Sequence, residues 1–256
     1  MSGPGLRLWL DHVAVAVPDL TAALEHMDRR LGLRATVSPE APERHSRVLL
    51  HRSYLEVSTR SGGRDWEATL FFLRFSDTGV LQAHLDSAGI DYRFGEYEGV
   101  DGTWDDVEVR VGTLPLPILV RRTAPAAVAR DWPPALRKEH PCGARSLGAV
   151  HVEVTSLDEA TEAYRRLLAI DEASPSVAEP RAGRRARIPL AAGELVLHEG
   201  SSPGSLGVVL DVPSIAAPRA ALGGAIRPID EDVAWVDPAQ TFGLRLGFTE
   251  AGGFER

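Results

Sequence analysis

Cysteine is nearly absent from this chain. Cys142 is the only one in 256 residues, so neither an internal disulfide nor a cysteine-rich zinc site can form, and a reducing, cytoplasmic setting is expected. Positive charge is also scarce: 28 Lys and Arg stand against 36 Asp and Glu, giving a net charge of −8 and a pI near 5.5. Nucleic acid and anionic membranes reward a basic surface, so neither is expected as a partner. The run from Arg181 to Arg187, four arginines in seven residues, reads as a solvated loop or strand edge. No apolar run approaches the ~20 residues of a membrane span, and Met1 to Leu10 lacks the charged start and long apolar core of a signal peptide. A composition of 44% hydrophobic and 25% charged residues leaves no case for disorder or a coiled coil.

What the chain does contain is a repeat. Leu10 to Leu20 (LDHVAVAVPDL) returns as Leu147 to Leu157 (LGAVHVEVTSL), 137 residues further on. Val at every second position predicts a strand with one apolar face; His12, Ala14 and Ala16, or Ala149, His151 and Glu153, point the other way. Each strand feeds a helix. Leu20, Ala23, Leu24, Met27 and Leu31 keep helical spacing, and Ser156 to Glu159 has the form of a capping box.

In order, residues 9 to 60 read as strand, helix and three strands, with Gly32 to Ser38, Ser46 to His51 and Ser53 to Thr59 as the last three. Ala68 to Phe75 opens a second such unit, followed by a helix over Val80, Leu81, His84, Leu85 and Ala88 that Gly89 ends. Strands at Tyr92 to Tyr97, Trp104 to Val111 and Pro117 to Arg122 complete it. Residues 124–145 hold four prolines and no periodicity, marking a linker. Unit three runs from Leu147 to Glu199 and unit four from Leu206 to Phe248, with Pro218 predicting a short or broken fourth helix. The fold class expected is α+β: four βαβββ units paired into domains 8–123 and 146–250. Gly200, Ser202 and Gly204 match G-x-S-x-G, but a strand follows where a nucleophile elbow needs a helix, so a strand-to-strand turn is expected.

With LDHVAVAVPDL opening the first unit, Tyr54-Leu55-Glu56-Val57 closing it, His45-Ser46 on the third strand, and Leu114 to Val120 (LPLPILV), Pro125 and His140-Pro141-Cys142-Gly143 beyond, the chain resembles the vicinal oxygen chelate (glyoxalase, bleomycin resistance, dioxygenase) superfamily, and within it the glyoxalase-like-domain branch. The likeness covers nearly the whole chain. It implies two units curling their sheets into a cup, with a divalent metal on ligands from the first and fourth strands. On that pattern His12 and Glu56 are the candidate ligands, and Zn, Mn, Ni or Fe suits an imidazole and carboxylate. The right-handed crossover makes those strands parallel, which places the pair as neighbours on the concave face. The second unit departs from the pattern, offering Arg74 on its first strand and Arg121 on its last, neither of which binds a metal.

Two functions follow. One is a metal-dependent lyase, isomerase or dioxygenase in which the metal polarises substrate oxygens or Glu56 serves as catalytic base. The other is a metal-free binding or resistance protein that sequesters a small molecule among Arg74, Arg121, Phe72, Trp104 and His45, with Arg74 or Arg121 pairing Glu56. In the second domain Ala149 and Val196 replace His12 and Glu56. His151 and His198, each displaced by two residues, share a face with Glu153 and form either a metal or acid–base set or a polar lining.

Overall fold

The structure, a computed structural model, describes residues 6–37, 45–51, 53–59, 65–99, 102–110, 117–123, 138–169, 176–178, 184–202, 204, 206–227 and 233–250. Pro125, residues 114–116 of the Leu114 to Val120 motif and residues 124–137 of the linker lie outside them.

Three βαβββ units are present as expected. The first is β1 (Leu8–Val17), α1 (Leu20–His26) running into a π-helical turn (Met27–Leu31), β2 (Thr36–Val37), β3 (His45–Leu49) and β4 (Tyr54–Thr59). The second is β5 (Glu67–Phe75), α2 (Thr78–Ala88), β6 (Asp91–Gly99), β7 (Gly102–Arg110) and β8 (Ile118–Thr123); the third is β9 (Ser146–Val154), α3 (Leu157–Leu168), β10 (Ser176–Ala178), β11 (Arg185–Pro189) and β12 (Glu194–Glu199). In the fourth, β13 (Leu206–Val212) and a seven-residue α4 (Ala216–Leu222) are followed, among the described residues, by β14 (Ala234–Trp235), β15 (Arg245–Glu250) and an isolated bridge between Ile226 and Val236. Pro218 sits inside that short helix, which gives way at once to a 3-10 turn over Gly223–Ala225.

The strands form an eight-stranded sheet, in the order β2-β3-β4-β1-β5-β8-β7-β6, and a seven-stranded sheet, β10-β11-β12-β9-β13-β15-β14. β1 runs parallel to β4, and β9 to β12, because a crossover helix preserves direction and each later hairpin reverses it. By proximity the chain gathers into two compact units whose segments alternate along the sequence: residues 12–70, 130–148 and 206–256 form one, and residues 1–11, 71–129 and 149–205 the other.

In the unit containing residues 12–70, Val13, Val15, Leu55 and Val57 meet Ala23, Met27 and Leu31 of the helical segment in a core from which water is excluded. The Asp19 carboxylate starts α1 by accepting from the Ala22 N–H. Gly32 ends the helical segment at φ 64°, where an added Cβ would come within 2.8 Å of the Cys142 nitrogen. That crowding fixes both the glycine and the turn that carries Cys142. Burial raises the Cys142 thiol to about 11, which removes it as a nucleophile.

In the other unit, Asp77 caps α2 through the Val80 N–H, and Ser156 caps α3 through the Glu159 N–H. Gly89 ends α2 at φ 61°, whereas the end of α3 holds Ala169 at φ 55°. His84 on α2 bonds through Nε2 to the carbonyls of Arg166 and Leu167, tying the two helices together. Val150, Val152, Leu195 and Leu197 are buried on the helix side with Tyr164 and Leu167 of α3. The opposite sheet face in each unit carries the polar residues.

Candidate functional site

Cross-strand register arranges the first polar face as three rows. Leu49, Tyr54 and His12 form one, Arg47, Glu56 and Ala14 the next, and His45, Ser58 and Ala16 the third, on β3, β4 and β1 respectively. His12 and Glu56 therefore share a face, as expected, but not a row: Tyr54 stands opposite His12, and Ala14 opposite Glu56. The His12 ring is buried and lies flat on Tyr54, centroids 4.3 Å apart and planes 11° from parallel. The Arg47 guanidinium stands 5.5 Å from the same tyrosine centroid, within the range of a cation–π contact. Glu56 is half-buried between Ala14 and Arg47, so the neighbouring charge available to it is the cation on β3.

A resident catalytic divalent metal does not fit this donor set. Such a site takes three or more protein ligands converging on one ion at about 2 Å. His12, Glu56 and His45 occupy three different rows, and among the described residues no group of three His, Cys, Asp or Glu side chains comes together.

The substrate-binding candidates of the second βαβββ unit are dispersed. Arg74 is paired with Asp11, Nε to Oδ1 3.9 Å, and lies 5.5 Å from the Trp9 ring centroid, so its charge is matched by Asp11 and not by Glu56. Arg121 does not face a cup. It stands opposite Asp105 in the β7–β8 ladder, 3.8 Å from that carboxylate, and donates from Nη1 to the Thr78 hydroxyl at the start of α2, 3.0 Å away. Leu119, two residues earlier, is fully buried on this helix side; the opposite-face residue that pairs with Arg74 is Val120. Reading Arg121 as the counterpart of Glu56 was thus one residue out of register, which on a strand reverses the face. Phe72 pairs with Ile118, whereas Trp104 is buried further along β7.

The second polar face has the same rows with different contents: Pro189, Glu194 and Ala149; Arg187, Val196 and His151; Arg185, His198 and Glu153, on β11, β12 and β9. His151 and His198 meet as their common two-residue displacement predicts, with Nδ1 of the first 2.7 Å from Nε2 of the second. One nitrogen donates and the other accepts. The two rings therefore form a hydrogen-bonded pair in this structure. Glu153 is engaged elsewhere: its Oε1 accepts from the Ser202 N–H at 2.7 Å, and a Cβ on Gly200 would run into its carboxylate. The G-x-S-x-G segment is accordingly a strand-to-strand turn anchored on Glu153, between β12 and β13. Arg187 pairs with Glu194 at 3.0 Å.

Arg47, Tyr54 and Arg185 were missed as site residues. The alternation that selects His45 also selects Arg47, and that which selects Glu56 also selects Tyr54. The ring stack had no signal in the sequence because it depends on register.

No curated protein matches the chain. Among solved structures, the fold is similar to that of the 2,3-dioxygenase LapB from Pseudomonas sp. KL28 (TM-score 0.68, 13% identity, covering 95% of this chain and 92% of that one). It is also similar to the Mn(II)-bound glyoxalase from Novosphingobium aromaticivorans (0.66, 12%, 96% and 83%) and to a hypothetical protein from Staphylococcus aureus (0.63, 9%, 95% and 99%). The glyoxalase-like domain model matches residues 10–168, a span that includes every residue of the first polar face. The chain therefore belongs to the glyoxalase-like domain family, within the vicinal oxygen chelate superfamily.

Proposed function

We infer that the protein binds a small planar organic molecule on the β1, β3 and β4 face without a resident divalent metal, in the manner of a sequestering or resistance protein. The observation that carries this reading is the flat stack of His12 on Tyr54 with Arg47 at the same ring. Both rings are buried, and the half-buried Arg47 beside them favours a ligand with an acidic edge. Glu56 and His45 in the adjoining rows supply an acceptor and a second imidazole. Two candidate donors, His12 and Glu56, are fewer than the three or more that a catalytic metal takes, whereas the similar glyoxalase from Novosphingobium aromaticivorans is Mn(II)-bound. Net charge of −8 argues against nucleic acid and anionic membranes as partners. A cytoplasmic site of action is supported by the single, buried cysteine.

Family membership and the half-exposed Glu56 carboxylate favour one alternative, an enzyme in which Glu56 acts as base on a bound carbonyl compound. A screen of small aromatic acids, followed by the ring signals of His12 and His45, separates the two. Sequestration predicts saturable shifts at His12, unchanged ligand after long incubation, and binding weakened about tenfold or more by Arg47→Ala, which removes a charge-assisted contact. Turnover of any bound compound, lost in Glu56→Gln, would replace this reading with the enzyme.

A further inference from the structure

Residues 32–35, which follow the first helical segment, lie against the turn at 138–143 that leads into β9, and His140 is the main tie between them. Its Nδ1 accepts from the Arg34 N–H at 3.1 Å, and its Nε2 lies 2.9 Å from the Leu49 carbonyl. Since Nδ1 is an acceptor, the one ring proton sits on Nε2 and is donated to Leu49. The other ties are weaker. The Cys142 N–H donates to the Gly32 carbonyl and Arg34 Nη1 to the Glu139 carbonyl, each at 3.4 Å, beyond the usual range for such bonds, and Lys138 reaches the Ala35 carbonyl through a long, exposed side chain. Cys142 is fully buried, and a Cβ on Gly32 would come within 2.8 Å of its nitrogen. The two backbones touch there, so parting them uncovers the thiol.

A second proton can enter the His140 ring only at Nδ1. It would face the Arg34 N–H, donor against donor across 3.1 Å, whereas the bond to Leu49 survives in the imidazolium. Burial opposes the new charge most strongly; the Leu49 carbonyl favours it, and the charges of Arg34 and Lys138 oppose it. Asp28 is engaged with the Arg34 guanidinium at 3.3 Å, and Glu139 is exposed. β3 adds Arg47 and, past its end, the exposed His51. α4, whose Ala217 would meet a Cβ on Gly143 at 3.5 Å, carries Arg219 as its one charged residue. The Arg34 N–H lies at the surface, so water replaces its lost acceptor and the parting leaves no buried donor behind.

We propose that His140 is an acid-released latch: neutral, it clips segment 32–35 over Cys142, and a proton on Nδ1 frees that segment and opens the thiol to solution while the ring stays on the Leu49 carbonyl. The device uses neither polar face and does not depend on what either one binds. Closed, the ring takes up a proton less readily than the ordinary value of 6.5 allows; open, it regains that value. Opening is therefore promoted as pH falls below 6.5, by up to about tenfold per unit, until the lower value of the closed state is passed.

Cys142, the one thiol of the chain, reports the latch. Its rate of reaction with dithiodipyridine, divided by that of a short cysteine peptide at the same pH, cancels ordinary thiol ionisation and leaves the opening. The wild-type ratio should stay level from about pH 8 to about pH 6.5 and then climb by up to about tenfold for each further unit, with the Arg34 amide signal shifting at the same midpoint as protonation of His140 Nδ1. His140→Gln keeps an acceptor and a donor without titrating, so its ratio should stay low and level; in His140→Ala it should be raised and level. If His140→Ala disturbs the fold, wild type against His140→Gln decides. A level wild-type ratio, an equal climb in His140→Gln, or a climb that appears only as the near-ultraviolet tryptophan signal is lost would overturn the proposal.

Discussion

The two polar faces are built on one grid and filled differently. His12, Tyr54 and Leu49 occupy the row that Ala149, Glu194 and Pro189 occupy in the other sheet, and Ala16, Ser58 and His45 the row of Glu153, His198 and Arg185. On the first face the aromatic content lies at the start of the parallel strands, in a stack with Arg47. On the second the imidazoles lie further along, His151 one row and His198 two rows later, and bond to one another. A duplicated backbone thus preserves register while the chemistry migrates along it by whole rows, since a two-residue step keeps the face and a one-residue step loses it.

Truncating Tyr54 should break the comparison most severely. Tyr54→Ala removes a buried aromatic that holds His12 in place and should lower stability by about 3–5 kcal/mol; Glu194→Ala, at the same grid position, should cost no more than about 1 kcal/mol. Urea unfolding of both variants measures the difference. The third row reverses that order. His198→Ala leaves a buried nitrogen of His151 without its present partner and should cost about 1–3 kcal/mol, against roughly 0.5 kcal/mol or less for Ser58→Ala.

His140 sharpens the contrast in protonation. Its Nδ1 accepts from the Arg34 N–H at 3.1 Å, and its Nε2 donates to the Leu49 carbonyl at 2.9 Å, an arrangement that requires the neutral ring. Burial, the largest influence, holds its pKa below the ordinary 6.5. Because the folded value lies under the unfolded one, His140 contributes fully above pH 6.5 and its contribution is lost as pH falls below that value. His140→Gln should therefore lose less stability than wild type between about pH 8 and about pH 5, read from urea midpoints at each pH.

The smallest effect concerns helix ends. The first two helical segments stop at glycines in the left-handed region, and α3 stops at Ala169, φ 55°. Ala169→Gly should stabilise by about 0.5–1 kcal/mol by relieving the Cβ clash. A thermal midpoint that does not rise would show that the added freedom of the unfolded chain offsets the relief.

Much of the fold was legible because it rests on periodicity. Alternating valines located β1 and β9, the 137-residue offset paired the units, and Pro218 marked a helix that is seven residues long. The His151–His198 meeting was legible for the same reason, since two equal displacements on parallel strands preserve proximity. What failed was the absolute register between strands. Nothing in the Glu56 segment reveals that Ala14, and not His12, lies opposite it, and assigning Arg121 to the polar face missed by one residue, enough to turn it toward α2. Arg47 and Tyr54 escaped notice because each is an ordinary strand residue until its neighbours across the ladder are known.

Metal content tests the central claim most directly. The protein should be exposed in turn to Mn, Fe, Ni and Zn ions, freed of loosely held ions by dialysis, and analysed for metal bound per chain. Two candidate donors in different rows beside Arg47 predict well under one equivalent of each metal, unchanged by Glu56→Gln. One equivalent retained by wild type and lost in Glu56→Gln would contradict the account and place the chain among metal-dependent members of its family.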